Sequence, residues 1–154
     1  MARDTAWRNA LFLSDRDDVD NLAQDLSGRA MDLVRQCKEL LAQEFKDRKT
    51  RRPPIMLSVR WRKDRFGPSL VWVRYTKTQR TLSTGINTRF TREVGGRRQH
   101  AYPASIFRPF DDPNLIEALI GIEKRAADIR REVAEWTSIL TSLKTIRDIH
   151  QRHA

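Results

Sequence analysis

The sequence predicts an α+β protein in which a small antiparallel sheet is bracketed by two long helices packed antiparallel. Three patterns carry that prediction. Apolar residues recur at helical spacing through residues 15–49, apolar and polar residues alternate through residues 55–86, and a heptad stripe runs through residues 113–150. At 154 residues the chain has the length of one domain, with residues 55–102 as its basic sheet region.

Residues 1–13 read as a leader whose Trp7, Leu11, Phe12 and Leu13 pack on the body. Ser14 and Asp17 form a capping pair, and Asp15, Asp17, Asp18 and Asp20 suit the positive end of a helix dipole. Val19, Leu22, Leu26, Ala30, Leu33, Cys37, Leu40, Leu41 and Phe45 then supply the apolar face. Gly28 weakens that helix by ~1 kcal/mol relative to alanine. Pro53-Pro54 stops it, because proline disfavours helix at the preceding residue.

In the sheet region Leu57, Val59 and Trp61 alternate with Ser58, Arg60 and Arg62. Val71, Val73 and Tyr75 alternate with Leu70, Trp72 and Arg74. Matching the first apolar face to Val71, Val73 and Tyr75 pairs Val59 with Val73, and Trp61 with Val71. The connection is then Asp64–Pro68, a five-residue hairpin loop with Gly67 at its turn. The opposite, solvated face would carry Arg60, Arg62, Leu70, Trp72 and Arg74, with Trp61 in the core. A third strand is expected before Ile86. A second hairpin about Gly95-Gly96, pairing 90–94 with 97–102, would bring the meander to as many as five strands; the other reading of that stretch is a mobile basic loop.

Asp112 suits an N-cap and Pro113 a first helical position. From Leu115 the apolar positions Leu119, Ile122, Ala126, Ile129, Val133, Trp136, Leu140 and Leu143 step alternately by four and three. That is a 3.5-residue repeat over four heptads, the signature of a coiled-coil-like helix. An intrachain partner and a second copy of the chain satisfy the stripe equally well, so a homo-oligomer through residues 113–150 is one expectation.

The net charge of +10 is unevenly placed. Residues 46–108 hold 17 Lys/Arg against Asp47, Asp64 and Glu93, whereas the flanks are net acidic. Segregated, arginine-rich charge on strands points to nucleic acid, since guanidinium groups pair bidentately with phosphate and with guanine edges. The candidate nucleic-acid-binding residues are Arg60, Arg62, Lys63, Arg65, Trp72, Arg74, Lys77, Arg80, Arg89, Arg92, Arg97 and Arg98. Trp72 has two readings, a stacking platform for an exposed base or a small core of its own. Duplex DNA is favoured over single strand or RNA, because no RRM, KH or zinc signature occurs. The competing class is a coiled-coil adaptor or scaffold whose basic sheet docks an acidic protein or RNA.

Catalysis finds no support in the residues. His100, His150 and His153 have no partners at metal-ligand spacing, and no nucleophile motif, phosphate loop or dinucleotide fingerprint is present. No cofactor and no metal are expected. The lone Cys37 excludes an intrachain disulfide, and no run is long enough for a spanning helix, so the expected location is the cytoplasm, without a membrane partner.

The order of long helix, basic meander with SVRWRK and SLVWVRY about a glycine-containing turn, and long helix resembles MobI-type accessory proteins of conjugative plasmids and integrative elements. The resemblance implies binding at a transfer origin in support of a separate relaxase, with no catalysis of its own. The sheet is also similar to the three-stranded DNA-binding module of arm-binding integrase and AP2-like domains. There a single short helix backs the sheet, unlike the two long helices expected here.

Overall fold

The computed structural model describes residues 16–45, 52–63, 65–81 and 87–153. Helix α1 spans Arg16–Glu44, and three strands follow: β1 Met56–Arg60, β2 Ser69–Thr81 and β3 Asn87–Glu93. A short 3-10 turn at Ala104–Phe107 leads into helix α2, Pro113–Arg152. The expected leader 1–13 lies outside the described residues, as do Ser14 of the expected capping pair and residues 15 and 46–49 of the expected 15–49 helix.

Each helix forms for reasons visible in its residues. Asp17 and Asp18 occupy the first turn of α1, where the dipole favours anions. In α2 the Asp112 carboxylate accepts from the Asn114 amide at 2.9 Å, and Pro113 opens the helix. The helices pack antiparallel within the chain. Arg29 meets Glu132 in a paired contact at 2.8 and 2.7 Å, while Arg125 reaches Gln36 at 2.8 Å. Seven residues forward on one helix are therefore seven back on the other. The α2 stripe is buried from Leu115 to Ala126, then half-buried from Ile129 to Leu140.

The sheet is an antiparallel meander in the order β1-β2-β3, three strands and no more among the described residues. Its register differs from the expected one. Leu57 pairs with Trp72, Val59 with Leu70 and Arg60 with Ser69, a shift of an odd number of residues that exchanges the faces of β2. Leu57, Leu70 and Trp72 thus point together into the core, each fully buried. Val71 and Val73 lie on the opposite face and are buried as well, each 2% exposed. Residues 70–73 form an unbroken apolar run because the central strand is covered on both sides. Alternation in β2 alone could not say which face was inner.

Two consequences follow along the chain. The connection between β1 and β2 runs from Trp61 to Pro68, longer than the expected five residues, and Trp61 is 59% exposed instead of buried. Gly67 holds φ +74, and a Cβ there would stand 3.3 Å from a Val133 methyl, so the connection lies tight against α2. The stretch expected as a third strand continues β2 to Thr81 with an irregularity between Tyr75 and Gln79. Residues of the expected second hairpin instead pair with β2, and around Gly95-Gly96 only a bridge between Arg98 and Ala101 forms.

The core lies between the sheet and the helix pair. Ala30, Leu33, Cys37 and Leu41 of α1 meet Leu57, Leu70 and Trp72 from below and Leu119, Ile122 and Ala126 from α2. Phe107 closes one end, edge-on to Trp72 at 5.0 Å, and Phe110 meets Phe45 at 6.1 Å.

Candidate nucleic-acid interface

The register sorts the candidate arginines onto two faces. Arg74 pairs directly with Arg92 across β2 and β3, so both guanidinium groups leave the sheet on the same side. Both are exposed, and neither forms an ion pair with a described residue. Like charges directly opposite each other destabilise a sheet, and a bound anion relieves them.

Arg60 leaves on the other side. It reaches over the central strand to β3, donating to the Thr91 hydroxyl at 3.2 Å and standing 3.6 Å from Glu93. Its aliphatic stem thereby lies across the outer face of β2 while its charged end stays half exposed. Arg62 approaches the same Glu93 at 3.9 Å. One carboxylate thus serves two guanidinium groups through long, solvated contacts, which leaves net positive charge there.

Of the two readings of Trp72 the stacking platform falls: the indole is fully buried, and it lies in the main core and not in a small core of its own. Its indole Nε1 donates to the Glu123 carboxylate at 2.6 Å. Arg130 binds both oxygens of that carboxylate, at 2.7 and 3.1 Å, and donates to the Leu70 and His100 carbonyls at 2.7 and 2.8 Å. The Tyr102 amide completes the set at 2.8 Å, and the Tyr102 ring lies 4.9 Å beneath the guanidinium. Burial pushes the Tyr102 phenol up, opposed by the neighbouring Arg97 and Arg130 charges. This buried pair was missed from sequence. Its one signal is the seven-residue spacing of opposite charges beside the heptad positions Ile122 and Ile129.

Trp61 takes the exposed aromatic position in place of Trp72. It stands between Arg60 and Arg62, with Lys63 and Arg65 exposed further along the connection. Arg97 and Arg98 are exposed on the turn after β3. Lys77, Arg80 and Arg89 lie on the far ends of β2 and β3, and their side chains fall outside the described residues. A cavity of about 400 Å³ opens between Phe66, Arg97, Gln99, His100 and Val133. Another, of about 420 Å³, is lined by Lys38, Leu41, Arg52, Pro53, Met56 and Tyr75, with the Arg52 guanidinium 5.3 Å over the Tyr75 ring. Among the described residues no cluster of His, Cys, Asp and Glu has the makings of a metal site. No described helix is long and apolar enough to cross a membrane.

Among known families, the one described as MobI protein matches residues 22–144, most of the chain, from the second turn of α1 through the whole sheet and well into α2. The chain belongs to the MobI family. The match spans both the buried Glu123–Arg130 pair and the exposed Arg74–Arg92 pair, so the MobI unit includes the frame as well as the charged surface. Membership in MobI suggests a role in conjugative mobilisation. Comparison with curated proteins and with solved structures finds no match in either set.

Proposed function

We propose that this MobI protein is a non-catalytic DNA-binding accessory factor that holds duplex DNA at a transfer origin for a separate relaxase. The observation that carries the reading is the direct opposition of Arg74 and Arg92, two exposed guanidinium groups with no ion pair to any described residue, placed where a polyanion removes their repulsion. Lys63, Arg65, Arg97 and Arg98 extend the positive surface on the adjoining connections and suit phosphate contacts. Trp61 offers a ring face beside them. Arg60 and Arg62 play a lesser part, because Glu93 already attends to both.

Phosphate contacts are read by salt. Duplex affinity is to be measured by fluorescence anisotropy over a range of salt concentrations, for the native protein and for Arg74→Ala/Arg92→Ala. Each lost phosphate contact lowers the slope of log affinity against log salt by about 1, so the double variant is expected to bind more weakly with a slope smaller by about 2. Its melting temperature should not fall, since the two charges repel in the free protein. Unchanged affinity and slope in the double variant would remove this face from the interface. DNA carrying the native transfer origin should bind roughly 10³-fold tighter than random DNA at matched salt.

A further inference from the structure

Residues 65–69, the turn at 97–100 and helix α2 line the open cavity of about 400 Å³, and simple backbone tracking by surface cations requires no such cavity. Its size falls in the range of small-ligand sites, roughly 300–1,000 Å³. Its walls are chemically divided. Phe66 and Val133 present apolar surface, Gln99 and His100 bring an amide and an imidazole, and the exposed Arg65 and Arg97 have no ion pair with any described residue. This set complements one nucleotide, with a ring for the base face, hydrogen-bonding groups for its edge and guanidinium groups for its phosphate. Arg130 also lines the cavity, but Glu123 and two carbonyls occupy its guanidinium, so it contributes wall and not free charge. Gln99 holds φ 54, a left-handed conformation that side-chain-bearing residues seldom adopt and that gathers at ligand sites.

We propose that this cavity receives a single unpaired nucleotide, which rests on the DNA-binding reading above and extends it from duplex backbone to a duplex with one base out of the stack. A base extruded from DNA and a free mononucleotide share this chemistry. The placement of Lys63 on the same connection as Arg65 and Phe66 favours DNA, because that exposed cation is set to meet a flanking phosphate. Extrusion costs least where a base is already unpaired, so a bulged duplex is the sensitive probe.

The test compares a short duplex of arbitrary sequence with the same duplex carrying one unpaired internal nucleotide, at matched salt, on the full chain. The bulged duplex is expected to bind on the order of tenfold tighter, the scale of one stacked base. Ala134→Phe, which fills the cavity from α2, should bring the ratio of the two affinities to about one, the tenfold stacking gain being lost. Arg97→Ala, an exposed position, should lower the ratio with the melting temperature preserved. Titration with dAMP alone distinguishes the sources: saturation that Ala134→Phe abolishes, with no gain from the bulge, assigns the cavity to free nucleotide. Equal affinity for both duplexes together with no Ala134-dependent binding of dAMP overturns the proposal, as does a bulge preference that survives in Ala134→Phe. Failure to bind any DNA would instead remove the reading under Proposed function, and dAMP would still report on the cavity.

Discussion

Cys37 sits on the inner face of α1, fully buried, and loss of solvation pushes its thiol up to about 11. The neutral thiol is thus favoured in the folded chain. Stability from this group is complete below the ordinary thiol range near ~8.5 and is lost as pH rises from there through about 11. Native protein at pH 8 should react with a thiol reagent far more slowly than protein unfolded in guanidinium chloride, which a colorimetric thiol titration reads directly. Equal rates would mean that this face of α1 opens readily. Trp61 and Trp72 teach the complementary lesson about single residues. Each stands two residues after an aliphatic one, Val59 and Leu70, and both suit either role by composition. Position decided: Trp72 lies over the helix pair with a carboxylate for its N–H, while Trp61 falls beyond the last paired residue of β1.

At the scale of elements, the helices were readable and the strand register was not. Helical spacing placed α1 and α2 because each has one apolar stripe and a polar remainder. The register depended on β2, whose residues 70–73 are apolar on both faces, so two pairings satisfied the pattern equally well. The longer connection 61–68 accompanies the observed pairing, and Gly67 fastens it to α2. Gly67→Ala puts a side chain into the left-handed region and against Val133, and should cost about 1–2 kcal/mol in urea unfolding. A loss near zero would show that the connection shifts away from α2 without penalty. The heptad stripe is partnered inside the chain over Leu115–Ala126, and the exposed Ile139, Ile146 and Ile149 lie beyond that stretch.

Across the whole molecule, Glu123 and Arg130 join α2 to β2, to the turn at His100 and to the chain at Tyr102. Both are at least nine-tenths buried, so removing one strands the other's charge in the core. Arg130→Ala should cost about 3–5 kcal/mol, a large part of a stability that is typically 5–15 kcal/mol. Replacing both, as Glu123→Leu/Arg130→Met, should cost less than the worse single change, because no uncompensated charge remains. Denaturant melts of the three variants check the order, and a double variant as unstable as the sum of the singles would contradict it.

The sequence by itself determined the α+β class, the two long helices, the segregation of positive charge into residues 46–108 and the resemblance that family membership upholds. Periodicity and composition are local properties, and they survive in a list of residues. Only the tertiary structure decided which face of β2 is inner, that Trp72 is core and Trp61 exposed, that Arg60 shares Glu93 while Arg74 faces Arg92, and that a charged pair lies beneath the sheet. Each of those depends on which residue stands opposite which. Opposition is set by the summed packing of three layers, and no single stretch of chain contains it.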